Sequence, residues 1–321
     1  MQLLETLNFV RGVVAERDTV QALTHFCVYK DRIQGSNGRI SIDAPCPDIG
    51  FEAVVPAEQF LRAFDACGGE PKIRFTDSGK LVVEKKPFRA YLPNLALDLY
   101  PRMDPSGGKK LKPLAPIIPT LKLLRPFLGD DADRKWAANM LFIDGIALAS
   151  SNVMITSAKC TAFGTAMIQL PFYLIDEMIR LGIEPEAYAA DESSITFFYG
   201  KQWLKAQLIL GEWPLETARK WLAEKSKMIP IPPTLAASVA RLVPFCPDPK
   251  FPVIHFSKGS IATAAGDMQA DIAGFDVGEG AFRAENLAPM LACADKIGVG
   301  EKAALFTGPG GFRGIMAKLR L

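Results

Sequence analysis

The chain of 321 residues carries 37 Lys and Arg against 35 Asp and Glu, a formal net charge of +2. No global positive field marks it as a nucleic-acid binder, so any contact with phosphates has to come from local clusters. Six cysteines at 27, 46, 67, 160, 246 and 293 form no CxxC pair and only two histidines are present, which points to reduced, mostly buried thiols in a cytoplasmic protein and away from a zinc site.

The N-terminal stretch contains Glu5 and has no basic leader region, so it is not read as a signal peptide. The longest apolar run, residues 160–175, is broken by Gln169 and Pro171 and is too short to span a bilayer. A soluble protein is expected, with no metal or organic cofactor implied.

In chain order, Leu3, Leu4, Leu7, Val10 and Val14 recur at helical spacing and predict an opening helix. Phe26 to Ile33, turning at Lys30-Asp31-Arg32, predicts a hairpin, and Phe51 to Val55 a further strand. Pro56 stands where a first helical turn tolerates proline and Gly68 where a left-handed C-cap belongs, so a second helix lies between them. Strands at 72–75 and 81–91 follow, and then residues 104–112, a polar, glycine-containing linker.

The same order then recurs. Leu121, Leu124 and Leu128 predict a helix, Met140 to Ile146 a hairpin around Asp144-Gly145, Thr165 to Leu170 a strand, and Pro171 to Gly182 a helix. Strands at 194–198 and 203–210 precede a charge-rich boundary at 219–227. It recurs once more: Leu235, Val239 and Leu242, a hairpin at Lys258-Gly259, Gly280 to Arg283, and a helical stretch running to Gly298, with Ala284 in place of the leading proline, Asn286 as a possible cap and Pro289 expected in the first turn. Strands at 303–307 and 312–319 finish it. Asp31 and Asp144 lie 113 apart, and Gly68, Gly182 and Gly298 lie 114 and 116 apart. A period of this size makes three tandem α+β domains, expected at 1–108, 113–222 and 228–321, each an antiparallel sheet with two helices on one face.

With this repeat in place, the chain resembles the bacterial-type DNA sliding clamps, the beta subunit of the replicative polymerase, over essentially its whole length. Residues 12–14 with Arg17-Asp18-Thr19, residues 136–142, Asp98-Leu99-Tyr100-Pro101, Gly211-Glu212-Trp213-Pro214 and the final Leu319-Arg320-Leu321 carry the resemblance by their order and spacing. The family's Thr-Asp-Gly-His-Arg-Leu run is replaced by residues 150–155, its Met-Pro-Met by Ala317-Lys318-Leu319, and the last hairpin around residues 308–311 looks shortened. These departures imply a divergent clamp with altered partner motifs, a phage or mobile element being one expected source.

The resemblance implies a homodimeric ring around duplex DNA, sequence-independent phosphate contacts, and polymerase and loader partners bound through short peptide motifs. For the DNA contacts it points to Arg11, Arg17, Arg62, Lys122, Arg125, Arg180, Arg241 and Lys296 on helical segments; without the repeat, each would read as an ordinary solvated face. For a partner-peptide groove it points to Ala137, Ser150, Asn152, Val153, Met154, Ile155 and Pro214, closed by Ile315, Ala317, Leu319 and Arg320, with Met154 and Leu319 as an adaptable floor. The plainer alternative is that Val153, Ile155 and Ile315 fill strand cores.

No convergent catalytic constellation is legible, so the protein is read as a non-enzyme. His25 and His255 lie in apolar strand-like runs and read as packed core residues. Residues 106–110 lack the spacing of a phosphate loop, and residues 130–133 lack a calcium-loop pattern. Two alternatives stay open: a clamp-fold monomer that binds replication peptides without closing a ring, and an unrelated tandem-repeat binder of small molecules.

Overall fold

The computed structural model describes residues 3–46, 49–105, 111–129, 134–151, 153–209 and 211–319. The first repeat runs α1 (Leu3–Arg11), β1 (His25–Tyr29), β2 (Arg32–Ser36), β3 (Ile40–Pro45), β4 (Ala53–Pro56), α2 (Ala57–Cys67), β5 (Lys72–Phe75), β6 (Leu81–Lys85) and β7 (Phe88–Leu92). The second runs β8 (Lys112–Pro113), α3 (Ile118–Leu124), β9 (Asn139–Ile143), β10 (Ile146–Ser150), β11 (Met154–Lys159), β12 (Ile168–Pro171), α4 (Phe172–Leu181), β13 (Ala187–Ala190), β14 (Ser194–Tyr199), β15 (Gln202–Gln207) and α5 (Leu215–Leu222). The third runs β16 (Ile229–Pro230), α6 (Leu235–Leu242), β17 (Val253–Ser257), β18 (Ser260–Thr263), β19 (Gln269–Asp271), β20 (Gly280–Arg283), α7 (Ala284–Cys293), β21 (Lys296–Val299), β22 (Ala303–Thr307) and β23 (Arg313–Ala317).

The local chemistry explains most of these boundaries. Lys30, Asp31 and Asp144 take positive φ in their hairpin turns, as two-residue turns between twisted strands require. Gly68 at φ 60° caps α2 through its N–H to Asp65 O, and Gly182 at φ 65° follows α4.

The third repeat departs from expectation. α7 stops at Cys293, and Gly298 is a strand residue in β21 rather than a left-handed cap; a Cβ there would sit 2.7 Å from Lys227 O, so close backbone approach is what requires this glycine. Pro289 lies inside α7, beyond its first turn. The stretch 81–91 is two strands, broken at Lys86-Pro87, and the charge-rich boundary at 219–227 begins within α5. Residues 106–110 and 130–133 lie outside the described residues.

The chain divides into two compact units, Met1–Pro116 with Asp176–Leu208, and Ile117–Ile175 with Ile209–Leu321. The first holds an eight-stranded antiparallel sheet, β4-β1-β2-β3-β15-β14-β13-β8, in which four strands of the first repeat join the three closing strands and the short opening strand of the second. The second unit holds the counterpart, β12-β9-β10-β11-β23-β22-β21-β16, joining the second repeat to the third. The seams are β3·β15, with Asp43 opposite Trp203 and Ser41 opposite Lys205, and β11·β23, with Ser157 opposite Arg313 and Ile155 opposite Ile315.

These registers align the repeats residue by residue. Gln34 pairs with Asp43, Leu148 with Ser157 and Ala262 with Gln269, so the three pairs are equivalent. In the same way Arg89 opposite Glu84, Trp203 opposite Phe198 and Arg313 opposite Thr307 hold equivalent places in the closing strands.

Two sheets remain unfinished. The four-stranded sheet β19-β18-β17-β20 ends on β19, and the three-stranded sheet β5-β6-β7 ends on β7. The first matches one half of an eight-stranded sheet and the second three of the four strands of the other half, and among the described residues each leaves a bare edge of backbone donors and acceptors. One side chain follows the same logic. The Pro-Phe pair after α3 buries Phe127 completely, its ring 5.7 Å from Phe312, whereas the equivalent Phe245 after α6 is 57% exposed.

Candidate functional site: a basic cleft and an apolar sheet face

Three of the eight basic residues singled out from sequence meet around one cleft. Arg11, Arg17 and Arg180 line a cavity of about 880 Å³ with Gly12, Thr24 and Glu58. Arg11, at the end of α1, and Arg17, in the loop that follows, are both exposed, and neither has an acidic partner within ion-pair distance among the described residues. They can meet a phosphate.

Arg180 is engaged otherwise. Its Nε and Nη2 donate to both carboxylate oxygens of Glu177, Nη2 also donates to Phe9 O at 2.7 Å and Nη1 to Asn8 O at 3.4 Å. The guanidinium thus covers the last-turn carbonyls of α1, where a cation is favoured. Gly12 makes room for it, since a Cβ there would lie 2.1 Å from Arg180 Nε. Burial pushes the Glu177 carboxyl up, against the opposing pull of Arg180. Arg62, exposed on α2, pairs with Glu58 one turn earlier.

In the second unit Lys122 is exposed on α3, Arg241 on α6, and Arg125 lies 5.7 Å over the Phe172 ring. Lys296 stands on strand β21 and not on a helix, opposite Pro230 and Thr307, because α7 has ended three residues earlier. Of the two histidines, His25 is packed as expected from its apolar surroundings, 3% exposed with Nδ1 2.9 Å from Gln21 O and its pKa lowered by burial, whereas His255 on β17 is only partly buried.

The groove residues divide between the two faces of the second sheet. Ile155 and Ile315, opposite one another, pack with Ala303, Leu305, Trp221, Leu222 and Met228 on the face that carries α5. Alternation turns Met154 and Met316 to the other face, where both are buried. Val153 is 45% exposed and accepts a bond from Ala317 N at 3.0 Å, and Ala317 is exposed as well. Pro214 precedes α5, and Leu319 N is held by Ala281 O at 2.9 Å.

Ala137 and Ser150 are buried, brought together by Gly129, whose N–H is shared between their carbonyls at 3.0 Å each. Asn152 and Arg320 lie outside the described residues. Sequence reasoning missed Gly129 and the whole wall of α5. The signal for α5 was available in Leu215, Ala218 and Leu222 at helical spacing, hidden by the density of charge around them.

The equivalent face of the first sheet is polar toward the seam, over β2, β3 and β15, and apolar around Cys27 and Val54. Asp43, with no exposed surface, accepts the Tyr29 hydroxyl at 2.6 Å, the Arg32 Nε and the Gln34 Nε2 at 3.3 Å. Gln34 in turn grips Met103 through both backbone groups, at 2.7 Å and 2.8 Å, Arg102 lies 5.2 Å over the Tyr29 ring, and Lys205 donates to Asp104 O at 2.9 Å. Burial pushes the Asp43 carboxyl up despite these donors. Residues 100–105 are thereby clasped onto the sheet.

No protein-family profile and no curated relative matches the chain. Solved structures do. A protein described as a DNA polymerase III beta subunit from Eubacterium rectale superposes with a TM-score of 0.82 at 14% identity, covering 99% of this chain and 97% of its own. The beta sliding clamp of C. crescentus gives 0.80 at 18% identity, with the same coverage. The chain has the fold of the beta sliding clamps. It is therefore an α+β protein of three tandem clamp-fold repeats, divergent in sequence across nearly its full length. The Helicobacter pylori beta clamp, crystallised with a DNA ligase peptide, matches at 0.78 and 14% identity over 99% of this chain and 98% of that one. Among the described residues no helix is long and apolar enough to cross a membrane.

Proposed function

We propose that this protein is a non-catalytic DNA sliding clamp, a cytoplasmic processivity factor that closes around duplex DNA as a homodimer and tethers a DNA polymerase and a clamp loader through short peptides. Its domains are taken as 1–108, 113–222 and 228–321. The observation that carries the proposal is the pair of unfinished half-sheets. Two seams within the chain join the strand that follows the first hairpin of one repeat, β3 or β11, to the last strand of the next, β15 or β23, so the same rule applied to the bare edges joins β19 of one copy to β7 of another.

The register follows from the repeat: Gln269, equivalent to Asp43 and Ser157, falls opposite Arg89, equivalent to Trp203 and Arg313. Phe88 occupies the place of Phe312, so it is the natural cover for the exposed Phe245 of the second copy, as Phe312 covers Phe127. Apolar burial of this kind favours association. Two copies supply six repeats, and topological linkage then needs only mobile phosphate contacts. Arg11 and Arg17 are the strongest candidates for these contacts, with Lys122, Arg125 and Arg241 in the second unit, whereas Arg62, Arg180 and Lys296 are held back by their partners or position. The peptide groove is assigned to the α5-bearing face of the second sheet, centred on Val153, Ile155, Ile315 and Ala317.

Native mass across a micromolar dilution series tests the proposal. A species at twice the 35.0 kDa chain mass that is retained on circular but not on linear duplex supports it. A persistent monomer that still binds replication peptides identifies an adaptor instead.

A further inference from the structure

α5 is built like a bound partner. Leu215, Ala218, Trp221 and Leu222 face the second sheet, while Glu216, Thr217, Arg219 and Lys220 do not. Apolar anchors three, four and seven residues apart on a short helix laid in an apolar trough are the way an amphipathic peptide docks. The fit is partial: of its eight residues only Ala218 is buried, and Leu215, Trp221 and Leu222 all keep some exposure.

The helix is also lightly held. No side chain caps its N-terminus, its length is well below what sustains a helix alone, and among the described residues its own side-chain tie to the sheet is the exposed pair Arg219–Asp144 at 3.3 Å, the segment being held again two residues past its end where Arg313 Nη2 donates to Glu224 O. Few buried contacts place an element at the low end of local stability. Trp221 and Leu222 pack with Ile155, which keeps some exposure, and with Ile315, which is buried, while the neighbouring Val153 and Ala317 stay exposed. The apolar surface is thus continuous, half occupied by the chain itself and half open.

We propose that α5 is an internal ligand of this face, a lid that an incoming peptide with apolar anchors must displace to reach Ile155 and Ile315; this rests on the groove assigned above. Being tethered at both ends, α5 competes at high effective concentration. The apparent affinity for a peptide is reduced by the fraction of molecules in which the lid is open.

The test uses the full chain and the DNA ligase peptide held by the Helicobacter pylori clamp as probe. Trp221→Ala is expected to tighten peptide binding about tenfold or more, and Arg219→Ala, on the exposed side, to tighten it slightly. Hydrogen exchange of residues 215–222 is expected to be faster than that of β11 and β23, and to rise further when peptide is added. Binding by Trp221→Ala but not by the parent chain supports the lid equally. Weaker binding by Trp221→Ala, or α5 amides that become more protected with peptide, shows that α5 is a fixed wall and overturns the lid while leaving the groove. Binding by neither protein overturns both.

Discussion

The two complete sheets differ most on the faces that receive the linkers. Tyr29, Arg32, Gln34 and Asp43 in the first occupy the places of Ile143, Ile146, Leu148 and Ser157 in the second, and Ser41 and Lys205 those of Ile155 and Ile315. One backbone therefore supports a buried polar clasp in the first unit and an apolar trough in the second. A polar clasp is specific to the segment it was built for, because every donor and acceptor is already matched; an apolar trough accepts whatever presents anchors of the right size. This explains why only the second seam is a candidate for exchanging partners.

The comparison can be broken in several ways. Asp43→Ala leaves Arg32, Tyr29 and Gln34 facing a buried void, and loss of a buried ionic partner costs about 3–5 kcal/mol; hydrogen exchange should accelerate in β2, β3 and residues 100–105 and stay unchanged in β10 and β11. Ile315→Ala acts on the other face, removing roughly 2–4 kcal/mol and weakening peptide binding, as read by denaturant midpoint and peptide titration. Tyr29→Phe removes one donor to Asp43 and should lower stability by about 1 kcal/mol.

The smallest effect is a pH dependence confined to the first face. Burial raises the Asp43 carboxyl pKa against the pull of Tyr29, Arg32 and Gln34. A carboxyl raised in the folded state favours folding when protonated, so the parent chain should gain stability relative to Asp43→Asn as pH falls through the raised pKa toward the ordinary carboxylate value, and lose that gain as pH rises. Melting both proteins from pH 7 to pH 4 checks the sign. The second face has Ser157 in this place and should contribute nothing comparable.

Much of this fold was legible in the sequence because it repeats. The Lys30-Asp31 and Asp144-Gly145 turns and the Gly68 and Gly182 caps recur 114 residues apart, and each has a local backbone reason. Gly298 falls near that spacing but has another reason: it answers to Lys227 O, a contact that no local pattern reveals. The basic cleft was half legible, since Arg11 and Arg17 stood out as charges, while the engagement of Arg180 depends on α1 carbonyls and on Gly12, far away in sequence. The apolar face was the least legible. Met154 and Ile155 look alike in sequence, and only strand register decides which of them turns toward α5.

The central claim is that the two unfinished sheets complete one another between copies. The most direct measurement is oxidative cross-linking of the double variant Arg89→Cys with Gln269→Cys, in a chain where five of the native thiols are buried and Cys293 is partly so. Residues directly opposite on antiparallel strands have Cα atoms about 4.5–5.5 Å apart, within disulfide reach. Efficient formation of a covalent dimer, absent from either single variant and weaker for Arg89→Cys with Asp271→Cys, is the predicted result. No covalent dimer, or cross-linking favoured at the shifted pair, contradicts the account.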